Sequence, residues 1–131
     1  VQACYRGPRL YDSPRTKAML EEVVAWYKKY RDILESDVIH LRRADARDWD
    51  GLLHVKPRLQ QPALLCVFNP LDEAIEREIV VPLYYAGLVD QVQVSVAGAP
   101  SNLHNLDRRS RLRLRVQIPA NGFQWVVFQA N

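Results

Sequence analysis

Asp45, Asp48 and Asp50 fall within one short stretch, close enough to act as paired acids or to ring a calcium ion. Cleavage of an acetal needs such a pair, one carboxyl to donate a proton and one to meet the developing charge. Here Arg42, Arg43 and Arg47 surround the three aspartates, which favours ordinary ion pairing. His40, His54 and His104 have no metal-ligand spacing, either among themselves or with Cys4 and Cys66. His40 and His54 fall within expected strands and read as hydrogen-bonded structural residues. The chain has no Gly-rich phosphate loop, no Gly-x-Ser-x-Gly elbow and no His-Glu-x-x-His. No catalytic residue is assigned, no metal and no cofactor is expected, and the chain taken alone is read as a non-enzyme.

Two other groups of residues point to binding. Arg108, Arg109, Arg111, Arg113 and Arg115 form a basic strip of the kind that grips phosphates. No aromatic residue alternates with them, so the stacking platform of a single-strand binder is missing. Strict alternation puts Arg111, Arg113 and Arg115 on the solvated face of a strand, within reach of Glu76 and Glu78 on a neighbour. That reading is preferred, and nucleic acid is not expected as a partner. Flat aromatic rings can instead stack on sugars, and the candidates are Trp49, Tyr84, Tyr85, Trp125, Tyr5 and Tyr11. Trp125 lies among apolar neighbours and reads as core. At least one ring of the Tyr84-Tyr85 pair reads as a packing plug. Trp49, inside Arg47-Asp48-Trp49-Asp50-Gly51, is the ring expected to be most exposed and the one candidate for carbohydrate.

The elements that must position these residues follow from composition and period. The chain has 131 residues, 48% hydrophobic and 25% charged, the balance of a globular domain rather than a disordered or collagen-like chain. No apolar run approaches the roughly 20 residues of a membrane-spanning helix, and no membrane partner is expected. The net charge is +3, but without the five clustered arginines thirteen basic residues face fifteen acidic ones. Two cysteines make no disulfide framework, and a Cys4–Cys66 bridge stays open on sequence alone. The chain opens on Val1 in the apolar Val-Gln-Ala-Cys-Tyr stretch and reads as a piece of something longer, which leaves compartment unassigned.

Ser13-Pro14 is a helix start, Ser as N-cap and Pro at the first helical position. From Pro14 to Leu34 there is no Gly and no further Pro. Leu20, Val23, Val24, Tyr27, Tyr30 and Leu34 keep the helical period, and Met19, Trp26 and Ile33 widen the stripe beyond what one small sheet would bury. After Ser36 the period becomes two. Seven strands are expected, around residues 38–41, 52–55, 62–68, 75–81, 92–96, 111–118 and 123–128, separated by Pro, Gly and Asn turns. The fold class is mainly β: an antiparallel β-sandwich preceded by one long α-helix.

Several segments taken in order resemble the C-terminal ends of large bacterial glycoside hydrolases of the α-galactosidase-like type. They are Trp26-Tyr27-Lys28-Lys29-Tyr30-Arg31-Asp32-Ile33-Leu34, then Arg47-Asp48-Trp49-Asp50-Gly51-Leu52-Leu53-His54-Val55. After them come Val67-Phe68-Asn69-Pro70-Leu71-Asp72-Glu73 and Val81-Pro82-Leu83-Tyr84-Tyr85-Ala86-Gly87-Leu88. Such enzymes combine a (β/α)₈ barrel with a terminal sandwich. The resemblance implies that residues 1–36 are the last strand, loop and helix of a parent barrel, and 37–131 its C-terminal sandwich. Barrel sites form at the C-terminal ends of the strands, so Tyr5, Arg6 and Arg9 would line the parent's pocket. The catalytic carboxylates would lie on earlier strands absent from this chain. The function expected is that of a non-catalytic accessory sandwich packing on and stabilising the parent's catalytic barrel. The alternatives are a stand-alone carbohydrate-binding module and a nucleic-acid-binding domain acting through 108–115. A helix 14–34 stripped of its barrel should self-associate.

Overall fold

The computed structural model describes residues 11–131. The chain divides into two compact units, the first ending at Arg31 and the second running from Asp32 to Asn131. Tyr5, Arg6, Arg9 and Cys4, with the expected barrel strand at 1–5, lie outside the described residues.

Helix α1 spans Pro14–Leu34, the bounds that the sequence signals predict. The backbone N–H of Thr16 donates to Ser13 Oγ at 3.1 Å, and the Thr16 hydroxyl donates to Asp12 Oδ1 at 3.1 Å. Ser13 therefore satisfies one of the free donors of the first turn. Along the first part of the helix the apolar stripe faces solvent. Met19 is 58% and Val23 49% accessible, and Leu20 and Val24 are also exposed. Trp26 and Tyr30, one turn apart, bring their ring centroids to 5.7 Å.

The second unit is mainly antiparallel β. Its strands are β1 (Asp37–Arg42), β2 (Asp50–Val55), β3 (Ala63–Phe68), β4 (Ile75–Pro82), β5 (Gln91–Val96), β6 (Asn102–Asn105), β7 (Arg111–Ile118) and β8 (Phe123–Ala130). Six make one sheet in the order β1-β2-β3-β8-β5-β6, while β4 and β7 form a separate ribbon. The core between them takes alternate residues from both layers. Leu53, Leu65, Val67, Val92, Val126 and Phe128 from the sheet meet Ile79, Val81, Leu112, Val116 and Ile118 from the ribbon. Burying such side chains contributes roughly 1.5–3 kcal/mol each before the entropy of ordering them is subtracted.

Eight strands stand where seven were expected. The extra one, β6, pairs with β5 at the sheet edge and places Asn105 opposite Gln91 and His104 opposite Val92. Asn102, His104 and Asn105 give it no apolar alternation to read. At the other edge, the register of β1 against β2 slips between His40 and Arg42. A bulge there twists the edge away from further pairing. Asn69, after β3, is buried and ties two turns together. Its amide nitrogen donates to the carbonyls of Glu73 (2.7 Å) and Pro119 (3.0 Å), and its Oδ1 accepts the Leu71 N–H at 3.0 Å.

Candidate functional site

The aspartate-rich loop is an ion-paired corner. Arg42 at the end of β1 forks onto Asp45 (2.9 and 3.2 Å to its two oxygens) and also donates to the Trp49 carbonyl. That fork, with the Arg47 N–H donating to the same carboxylate, holds the Asp45 carboxyl down at about 2. Asp48 accepts from Arg77 of β4 at 3.0 Å and from the Trp49 N–H at 2.8 Å. Partial burial pulls its pKa upward, and these donors outweigh that pull to leave it below the usual carboxylate range. Both groups are committed anions and poor proton donors near neutral pH. The arginine that pairs Asp48 comes from a strand 29 positions away rather than from Arg43 or Arg47.

Trp49 is half-buried and packs against the core. Its ring lies 3.1 Å from where a Cβ on Gly51 would sit, a contact tight enough that a larger residue there would have to displace the indole slightly. The expectation that Trp49 is the most exposed ring is corrected. Its neighbours Arg47, Asp48 and Asp50 are all polar, and the indole is what the loop has to cover the core end.

The tyrosines do the opposite. Leu83, Ala86 and Leu88 are buried, and the 3₁₀ turn Tyr84–Ala86 is held by Ala86 N–H to Leu83 O (3.1 Å) and Gly87 N–H to Tyr84 O (2.9 Å). With Leu83 and Ala86 turned inward, Tyr84 and Tyr85 are 68% and 63% accessible, in edge-to-face contact at 5.5 Å. Neither acts as the packing plug expected of one of them. Gly87 closes the turn at φ 72°, and a Cβ there would stand 3.6 Å from Pro57. The turn thus sits beside the β2–β3 loop. Between them lies an open cleft of about 250 Å³ lined by Asp37, Ile39, Val55, Pro57 and Tyr85. A second hollow of about 480 Å³ shares Asp37, Val55 and Pro57 and adds Arg58, Lys56 and Glu35. This grouping of Tyr85 with Asp37 and Pro57 went unread in the sequence, since it depends on three segments meeting across the fold.

Arg111, Arg113 and Arg115 of the arginine strip lie on β7, while Arg108 and Arg109 fall in the turn before it. Leu112, Val116 and Ile118 are buried while Arg113 and Arg115 are exposed, the solvated face expected from alternation. Arg113 pairs with Glu78 of β4 at 3.1 Å, and Arg111 with Asp107 at 2.9 Å. Glu76 stands opposite Gln117 instead of an arginine. Such exposed pairs contribute little to stability, but they spend part of the positive charge within the sandwich.

His40 is exposed on β1, and His54 is buried on β2, opposite Val38. Burial lowers the His54 pKa, and its Nδ1 has no hydrogen-bond partner among the described residues, against the expectation of a hydrogen-bonded structural histidine. Cys66 is a free thiol on β3 that burial pushes up to about 12, far from a reactive thiolate. Among the described residues no group of three His, Cys, Asp or Glu side chains is placed to hold a metal ion, and no helix is long and apolar enough to cross a membrane.

No protein-family model and no curated protein matches the chain. Solved structures do. A GH27 β-L-arabinopyranosidase from Geobacillus stearothermophilus is 11% identical with a TM-score of 0.49, over 72% of this chain and 20% of that one. A Bacillus halodurans protein described as an α-N-acetylgalactosaminidase is 11% identical with a TM-score of 0.46, over 72% and 21%. The matched part is the C-terminal region of those chains. The present chain spans about a fifth of the length of each.

Proposed function

We propose that this chain is the C-terminal part of a glycoside hydrolase, a non-catalytic sandwich at 37–131 whose partner is the catalytic barrel that residues 1–36 complete. The observation that carries the reading is the solvent-facing apolar stripe Met19, Leu20, Val23 and Val24 on α1. A lone apolar residue at a surface needs no explanation, but four at helical spacing mark a face made for a neighbour. The ordered resemblance of the helix end, the Asn-Pro turn and the Pro82–Leu88 segment to the ends of such enzymes supports the same reading. On it, hydrolysis belongs to carboxylates outside this chain, and the sandwich contributes stability to the barrel.

Sedimentation of the purified 131-residue chain tests it. Wild type should self-associate at micromolar concentration. A chain carrying Met19→Lys, Leu20→Gln, Val23→Glu and Val24→Gln should be monomeric with its thermal midpoint little changed, because exposed side chains contribute little to the fold. A monomeric wild type, or a variant that unfolds, would contradict an interface role for this face. The stand-alone carbohydrate-binding module is the second reading, favoured by the exposed tyrosines beside a cleft.

A further inference from the structure

The geometry points to a binding site for a neutral pyranoside in the cleft formed by Tyr85, Asp37 and Pro57, with Tyr84 bracing the platform and Arg58 in the adjoining hollow. All these residues belong to the second unit, so the inference stands apart from the reading of α1. Three observations carry it. The first is a rigid exposed aromatic surface. Leu83, Ala86 and Leu88 anchor the turn in the core, two backbone hydrogen bonds close it, and the edge-to-face contact with Tyr84 limits the swing of the Tyr85 ring. A tyrosine held this way loses little conformational freedom when a ligand covers it.

The second is a set of polar groups with nothing to do inside the fold. Neither the Asp37 carboxylate nor the Arg58 guanidinium has a hydrogen bond or ion pair with its side chain among the described residues. The two flank Pro57, one an acceptor only and the other a donor only. Sugar hydroxyls both donate and accept, so one seated in the cleft suits Asp37 and one reaching the hollow suits Arg58. The third is size and charge. About 250 Å³ with an apolar floor of Ile39, Val55 and Pro57 suits one ring presenting its C–H face to Tyr85. The adjoining hollow of about 480 Å³ leaves room for a second residue. The cleft's one charged group is the Asp37 carboxylate, and the hollow sets Glu35 and Asp37 against Lys56 and Arg58, so neither offers the net positive lining that holds a phosphate.

The test is a two-dimensional ¹H–¹⁵N titration of the whole 131-residue chain with methyl β-D-galactopyranoside, methyl β-D-glucopyranoside and methyl α-D-mannopyranoside. A ligand of about a dozen heavy atoms at ordinary ligand efficiency binds in the millimolar range, so titration to about 100 mM covers the expected Kd. The expected result is saturable shifts for at least one glycoside, confined to amides around Asp37, Ile39, Arg58 and Ala86. Tyr85→Ala and Asp37→Asn should each weaken binding at least about fivefold with the rest of the spectrum unchanged, while Tyr85→Phe retains it, since stacking needs the ring and not the hydroxyl. No saturable shift with any of the three, or shifts that persist in both Tyr85→Ala and Asp37→Asn, would overturn the proposal. So would saturation of the cleft by a decaproline peptide with no response to the glycosides, which would mark a protein-docking surface instead.

Discussion

Trp49 and the Tyr84–Tyr85 pair are aromatic rings in loops of one sandwich, and they have opposite fates. Trp49 is flanked by Asp48 and Asp50, both paired or solvated, so the ring itself turns in against the core. Tyr84 and Tyr85 are flanked by Leu83, Ala86 and Leu88, which take the burial and leave both rings outside. Exposure of an aromatic residue in a loop is therefore decided by its neighbours. A polar loop spends its one large side chain on the core, whereas an apolar loop has rings to spare.

This contrast is open to measurement. The largest effect should come from Trp49→Ala, which removes a half-buried indole from the core end. A loss of about 2 kcal/mol in urea unfolding is expected, less than the 3–5 kcal/mol of a fully buried Trp. A loss below about 0.5 kcal/mol would mean that Trp49 is as dispensable to the fold as a surface ring.

A smaller effect belongs to the charges around Trp49. The Arg42 guanidinium holds the Asp45 carboxyl at about 2 in the folded chain, below its unfolded value of about 3.9. A folded pKa that is depressed means stability fully present above about pH 4 and lost as the pH falls through about 2. Wild type should thus converge on Asp45→Asn across that window in acid unfolding followed by circular dichroism. Two curves that stay parallel from pH 5 to about pH 2 would show that the pair does not couple to folding. The smallest effect should be that of Tyr85→Ala on stability, within about 0.5 kcal/mol of wild type. A loss comparable to that of Trp49→Ala would erase the distinction between the two loops.

Local signals carried most of the architecture. Ser13-Pro14 marked the start of α1, the absence of Gly and Pro carried it to Leu34, and period-two alternation located seven strands. What escaped were features set by partners distant in sequence. β6 is a strand because β5 offers it an edge, and Asn102, His104 and Asn105 carry no apolar period to announce it. Asn69-Pro70 was legible as a turn, but the grip of its side chain on the Pro119 carbonyl joins segments fifty residues apart. The exposed face of Arg113 and Arg115 was legible, because a strand's two faces follow from alternation alone, but the register that sets Gln117 rather than an arginine opposite Glu76 was not. The tyrosine cleft was not, because it needs Gly87 beside Pro57 and Asp37 across from both.

Asp45 and Asp48, the carboxylates whose spacing first suggested acid–base chemistry, are both held as anions by arginines, with no proton to give near neutral pH. The most direct test of a non-catalytic role is therefore the turnover of p-nitrophenyl glycosides by the purified 131-residue chain, across a panel of α- and β-linked hexoses and pentoses. The account predicts release of nitrophenol at the rate of the buffer alone, unchanged in Asp45→Asn and Asp48→Asn. Turnover above that background, lost on replacing one of these carboxylates, would contradict it.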